Sequence, residues 1–536
     1  MSRFMWPGAV RTVLLGSAVA ASLLSGAGRA SAKTLDVCPS GCPYTHIGPA
    51  IAAATSGDTI EVGRGTYAGG FVINVSLKLV GQGPDATIIR GGGSVITIGT
   101  FGTSSEPTVS IKGVTVTGGV ARSSPESTPF VGQEGVYAMG GGVEIPPNAA
   151  FTGGATVTIS NSEITGNRAA PTHTVPSGLP FPCGQCPFAL AAGGGIDNWG
   201  TLTLTHTTVS NNRVGSASGL STLASDAEGA GIMNHLNALT IDDSRVSDNR
   251  ASATAPNGRF ADSGGIFVER GPLSMNDSRV TGNSATLAAS LPNSVDLLAI
   301  AGGMHIGSGA SATINKTTFS ENSVSMTNTV GNSFAVSGGL HTDLDVKVTN
   351  AVITNNTVRS ATLPGSSGDA EGDSGGGEIS GTITDTRYAD NSVMVSSAAG
   401  RTVALAGAAI VGGSMTNSIV SDNDVRGYSP RGSVFVAGAG LIVAVSLELR
   451  NTTVSRNTGH ARGLTGSAEG GGIFDSVAPT GPPEGPLKLT DSRVIRNMLS
   501  GSEGITLQGG GVFATSPVTQ TRSVIAHNSP DQCYGC

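Results

Sequence analysis

The chain has 536 residues, 80 of them glycine, with only 12% charged and 4% aromatic residues, which excludes a core built on aromatic packing. Its formal net charge of −7 disfavours electrostatic capture of nucleic acid or of an anionic membrane surface. Length alone allows several domains, but an internal repeat overrides that prior and points to one long repetitive unit.

The first residues carry Arg3 and Arg11, an apolar run from Val13 to Leu24, and then Ala30-Ser31-Ala32. That order reads as a secretory signal peptide over residues 1–32, cut after Ala32, so export to an extracellular or cell-surface location is expected. A membrane anchor is the alternative, against which the run is shorter than the roughly 20 residues a spanning helix needs. Loss of Arg3, Arg11 and Arg29 makes the remaining chain more acidic still. No other apolar stretch is long enough to span a bilayer as a helix.

Residues 33–115 read as an N-terminal cap and first coils. The stretch around Ala50 to Ala54 is the best helix candidate, followed by the strands "TIEV", "FVI", "LKLVG" and "ATIIRG". An amphipathic helix there would cover the open apolar end of a stack, as a solenoid terminus requires.

From residue 116 to 536 a phrase recurs. Its closing asparagine stands at Asn167, Asn212, Asn249, Asn283, Asn322, Asn356, Asn391, Asn423, Asn457, Asn497 and Asn528, at spacings of about 31 to 45 residues. Before most of these comes a small-residue turn with an aliphatic, such as "GGGI" at 193–196 and "GGM" at 302–304. Inside a unit the period is two, as in "TLTLTHTTVSNN" at 201–212, so the units are strands and the solenoid is all-β. A glycine-led strand, an "LTL"-type strand and a "TVS"-type strand per unit predict a three-sided parallel coil, with rungs about 4.8 Å apart. Glycine suits a corner where a side chain would strike the next rung. Asparagine at a fixed corner can stack into a ladder of buried amides.

Between each asparagine and the next glycine turn lie about 11 to 25 residues rich in Ser, Thr, Ala and Gly, read as loops gathered at one edge. Their ends carry acids: Asp226 and Glu228; Asp369, Glu371 and Asp373; Glu469. Calcium would suit such carboxylates. The Gly-Gly-x-Gly-x-Asp calcium roll is absent, which favours a solvated acidic edge. The six cysteines form local pairs, Cys38 with Cys42, Cys183 with Cys186 and Cys533 with Cys536, suited to disulfides in an oxidising compartment. A zinc site joining Cys183 and Cys186 to Cys533 and Cys536 is the rival, and the repeat sets those pairs many layers apart.

The segment "AIAAATSGDTIEVGRGTY" resembles the start of right-handed parallel β-helix proteins of the pectin-lyase-like superfamily. The rungs resemble the polymorphic outer membrane protein repeat, a GGA-aliphatic turn paired with F-x-x-N. "FSEN" at 319–322 matches its second half outright, and other rungs carry Val or Ile in place of Phe. The resemblance implies a right-handed β-helix and leaves activity open, because this scaffold hosts lyases, hydrolases, esterases and adhesins. The His-Gly and Arg-Ile-Lys elements of polygalacturonase-like catalysis are missing, as are the pectin-methylesterase-like "QDTL" and "DFIFG".

Register reading supplies the candidate site. With each turn's aliphatic inward, the next residue points out: Glu144, Asp197, Met233, Phe267, His305 and His341. Two residues on come Trp199, His235, Glu269 and Asp343. Stacking gathers Asp197, His235, Glu269, His305, His341 and Asp343 on one face, beside Trp199 as a candidate sugar platform. Such a patch can run acid–base chemistry or hold a metal, although no metal ligand set is assigned from the sequence. Its plain alternative is a set of solvated side chains. Further along, the column turns apolar, with Val411, Ile442 and Phe474 expected outward and covered by the insertions. The leading expectation is an exported scaffold that binds a polysaccharide or a cell-envelope component. The alternative is a carbohydrate-active enzyme, a polysaccharide lyase or glycoside hydrolase, acting on this face.

Overall fold

The computed structural model describes residues 31–122, 135–171, 188–215, 224–254, 258–290, 297–475 and 487–536. Residues 1–30 of the expected signal peptide lie outside these residues. What is described is a parallel β-solenoid of about 11 turns, with 60% of residues in strands and 2% in helix. Three sheets of 23, 14 and 20 described strands run its length.

The sides of the coil differ from the sequence expectation in one respect. The glycine-led and "LTL"-type strands share the first sheet, and on several rungs they fuse, as in Ile266–Asn276 and Met304–Asn315. The "TVS"-type strands form the second sheet. The third side is built from the insertions read as loops: Ser284–Ala289, Ser323–Asn328 and Thr458–Glu469 all belong to it. These segments alternate small inward residues with polar outward ones, and Ala285, Leu287 and Ala289 are buried. Alanine and serine are poor strand formers alone, so propensity hid a strand that stacking on both neighbours imposes.

Every rung turns at the ladder. Asn322 donates from Nδ2 to Asn356 Oδ1 at 3.0 Å and to the Val280 carbonyl at 2.9 Å. Its own Oδ1 accepts from the backbone N–H and the Nδ2 of Asn283, both at 3.0 Å. The same linkage runs from Asn167 to Asn528. At the first end Asn167 accepts the Gly119 N–H, and at the last Gln532 Oε1 accepts the N–H of Asn528. The residue before each ladder asparagine has positive φ, including Glu321 (59°), Arg456 (57°) and Arg496 (59°).

Glycine is needed at the turn that lies against the ladder for a second reason. A Cβ on Gly303 would stand 2.3 Å from the Gly339 carbonyl oxygen and 3.1 Å from Asn322 Cγ. Ladder and glycine turn therefore press directly on each other.

The helix runs Ile47–Ala53, and its buried Ile47, Ala50 and Ile51 cover the first coil. Two of the three expected cysteine pairs are disulfides, Cys38 with Cys42 and Cys533 with Cys536. The third expected disulfide is not among those described, because Cys183 and Cys186 both lie outside the described residues. Bonded to each other, Cys533 and Cys536 offer no thiolate to the rival zinc site, so Cys186 and Cys183 lose the partners that site required. No described helix is long and apolar enough to cross a membrane. One rung departs from the register its sequence predicts. Ala409 takes the inward aliphatic's place, so Ile410 pairs with Glu378 on the outer face and Val411 is buried. Phe474 does point outward and stacks on Phe513, with its edge met by Phe435 of the third sheet rather than by a loop.

Asn322→Ala leaves the amides of Asn283 and Asn356 and the Val280 carbonyl short of partners in a dry interior. It should lower unfolding free energy by about 2–4 kcal/mol, measured by chemical denaturation, and an unchanged midpoint would contradict the ladder argument. Gly303→Ala should cost at least as much, because backbone of the next rung has to move to admit the methyl group.

Candidate functional site

The glycine turn folds the third sheet back against the first, so the outer faces of the two meet in a corner. First-sheet side chains project into it in two columns, the first of them fixed by strand pairing. The first contains Glu144, Asp197, Met233, Phe267, His305, His341 and Glu378. The second brings Trp199, His235, Glu269 and Asp343 alongside. The predicted residues do share a face, and three of them are not solvated side chains: Asp197 is 1% exposed, His235 3% and His305 6%, while Glu269 is half-buried and Asp343 is exposed.

They divide into two groups, set apart by Met233 and Phe267. In the first, His235 Nε2 meets Asp197 Oδ1 at 3.0 Å, and its Nδ1 meets Glu269 Oε2 at 3.2 Å. Its ring lies flat on Trp199, with centroids 4.2 Å apart. Burial opposes a charge on His235, yet the two carboxylates outweigh it and raise its pKa to about 9. With both nitrogens engaged, this imidazole acts as a charge clamp. Trp199 points away from the coil as expected, but His235 covers one side of it and Phe151 packs edge-on at 6.1 Å. It offers an edge rather than an open platform. Asn198 and Asn234, buried beneath, hold this turn through an Nδ2-to-Oδ1 bond of 2.6 Å.

Beside that group opens a groove of about 210 Å³, lined by Ser94, Arg122, Tyr137, Glu144, Asp197 and Trp199 among others. Glu144 accepts hydrogen bonds from Ser94 (3.0 Å) and Thr97 (3.4 Å). Burial, with the charge of Asp197 on the next rung, pushes its pKa up to about 7. Glu144 was visible in the sequence as an outward residue; what gives it chemical interest is this burial next to a second carboxylate.

The second group joins His305, His341 and Asp343. His305 Nδ1 meets Asp262 Oδ2 at 2.8 Å, and its ring stacks on Phe267 with centroids 4.7 Å apart. His341 Nδ1 meets the Ser337 hydroxyl at 3.0 Å, and its Nε2 meets Asp343 Oδ1 at 3.2 Å. Burial works against a charged His305, but Asp262 and Asp343 prevail and raise its pKa to about 10. Hydrogen bonding to His305 and then to His341 holds the Asp343 carboxyl far below its ordinary value.

The third sheet supplies what register reading of the first could not: Asp226, Glu228, Asp262 and Asp373, each on the strand entering a glycine turn. The sequence signal was the recurrent acid before the turn, read there as a solvated edge. Asp262 and Asp373 are instead buried, because the turn aims them into the corner. Burial, with Asp262 and Asp226 nearby, pushes Glu228 up to about 8, and burial raises Asp226 to about 6.

The raised values of Glu144, Glu228 and His235 act on stability with one sign above pH 5. Glu144 and Glu228 hold protons in the folded chain up to about pH 7 and 8 but lose them near 4.5 when unfolded. His235 holds its proton to about 9, against about 6.5 unfolded. The folded chain thus binds more protons than the unfolded one between about pH 5 and 9, so stability falls as pH rises across that window. Melting temperature should be higher at pH 6 than at pH 9, and Glu228→Gln should flatten the difference. A melting temperature that climbs toward pH 9 would refute this reading of the corner.

No family model matches the chain, and no curated protein matches it in sequence. Among solved structures it is similar to the A-module of Azotobacter vinelandii mannuronan C-5 epimerase AlgE4, at 11% identity and a TM-score of 0.19, covering 88% of this chain and 90% of that one. At that distance the likeness says nothing of activity.

Proposed function

We propose that this protein is an exported β-helix scaffold that binds a hydroxyl-rich polymer, a glycan of the cell envelope or its surroundings, in the corner groove. The observation that carries the reading is the groove itself, where Glu144, Asp197, Arg122 and Tyr137 converge beside the Trp199 edge on a wall of stacked strands. Charged and aromatic groups meeting on a rigid concave surface are what a small polar ligand requires. The carboxylates here and on the adjoining third sheet favour neutral or amino-sugar units over polyuronates, whose charge they would repel. The arginine-bearing, apolar first residues support export.

One observation favours a second reading, glycoside hydrolysis in the same groove. Glu144 keeps its proton to about pH 7, one rung from Asp197, and an acid beside a second carboxylate is the pairing that glycosidic cleavage uses. Glu144 would protonate the leaving oxygen while Asp197 acts on the sugar side.

The chain without residues 1–32 should be retained on an immobilised neutral or amino-sugar polysaccharide. Glu144→Ala should weaken retention about tenfold, the value of one hydrogen bond lost in a buried site. Retention on neither a neutral nor an amino-sugar polysaccharide would refute the proposal. Release of new reducing ends that declines as pH rises through 7, and is lost in Glu144→Gln, would establish the second reading instead.

A further inference from the structure

The geometry points to a binding site for a first-row divalent cation of the zinc type, formed by His305, His341 and Asp343. Each offers one ligand atom, and the three atoms lie within 4.8 Å of one another. The inference is independent of the groove at Glu144.

Three features carry it. His305 is buried, and its Nε2 makes no contact closer than a long one of 3.5 Å to Asp343 Oδ2. A buried ring nitrogen left in this way costs stability unless something else engages it. Second, the far nitrogen of each imidazole is already held: Nδ1 of His305 by Asp262 at 2.8 Å, and Nδ1 of His341 by Ser337 at 3.0 Å. A carboxylate on Nδ1 holds the proton there, so an ion that displaces the Nε2 proton meets a ring already turned toward the site, the arrangement that orients metal-bound histidines. Third, the spacing suits a small ion. Bonds of about 2.0–2.1 Å in a tetrahedron place ligand atoms roughly 3.3 Å apart. Asp343 Oδ1 stands 3.2 Å from His341 Nε2 and its Oδ2 stands 3.5 Å from His305 Nε2, so the carboxylate bridges the two imidazoles at about that spacing.

The donor set also selects the ion. Two imidazoles and one carboxylate suit zinc and its first-row neighbours, whereas calcium takes six to eight oxygens. His305 lies deep, His341 is intermediate and Asp343 is the most exposed, so the site opens toward solvent on the Asp343 side. That opening gives the ion an entry path and leaves its fourth position to water or a ligand atom.

The chain lacking residues 1–32, stripped with chelator, should take up one equivalent of Zn²⁺ by titration calorimetry. It should give the visible bands of a four-coordinate nitrogen–oxygen site with Co²⁺. Asp343→Asn and His305→Ala/His341→Ala should lose this equivalent. Asp262→Asn, which touches no metal, should weaken it about 10- to 100-fold. His206→Ala/His460→Ala, altering histidines outside the corner, should retain it. If the double His305/His341 variant does not fold, the Co²⁺ spectrum of the unaltered chain decides. Six-coordinate bands, thiolate charge-transfer bands, no uptake, or undiminished uptake by Asp343→Asn would each overturn the assignment.

Discussion

The column of buried asparagine amides is the interaction on which the rest of the structure depends. An amide placed in a dry core is costly unless its oxygen and both hydrogens find partners, and here the identical amide one rung away, together with backbone groups of the neighbouring rungs, supplies them. The column therefore fixes register. A one-residue slip on any rung would withdraw an amide from the ladder and turn that rung's Val, Ile or Leu outward. The ladder also offsets a local cost. Glu321, Arg456 and Arg496 sit in left-handed conformations that are unfavourable for residues with a Cβ, by about 1 kcal/mol each. A turn that each residue would avoid alone persists because the neighbouring amides on both sides require it.

The legible parts of the fold are those where side chains meet their own kind. The asparagines repeat without exception along the ladder, so its existence and its buried location could be read from spacing alone. The insertions could not be read, because Ala285, Ala289 and Ser325 carry little strand preference and their lengths vary between rungs. Their strand conformation comes from hydrogen bonds to the rungs above and below, a non-local term absent from any one window of sequence. The slip at Val411 has a related cause. On that rung the turn reads "GAAI", and Ala409 rather than Ile410 fills the inward position. The rule that the aliphatic after the turn faces inward assumes every turn has the same number of small residues.

For the candidate site, the first-sheet columns were legible because strand alternation is strict once the turn is located, which placed Asp197, His235, Glu269, His305, His341 and Asp343 together. Their burial was not. Residues outward from a coil are ordinarily wet, and nothing local to His305 says that Phe267 will cover its ring or that Asp262 will reach its Nδ1. Asp262 precedes His305 by 43 residues and belongs to another sheet. Only the sharp return of the chain at the glycine turn makes them neighbours.

That return explains why chemistry gathers in this corner rather than on the other outer faces. On a flat face, stacking in register puts each side chain about 4.8 Å from its own counterparts, so a column of like charges would repel itself. Here a second sheet closes on the column, and each histidine is flanked by acids from two directions: His235 by Asp197 and Glu269, His305 by Asp262 and Asp343. Aromatic rings from the same columns, Trp199 and Phe267, cover the imidazoles and keep water from screening these contacts. The ladder holds the rungs in register and the glycines let the corner close. Carboxylates carried into a partly dry corner in this way must bind a proton, pair with a histidine or engage a cation. Glu144 does the first and Asp197 the second, while Asp343 stands between two imidazoles where the third is open to it.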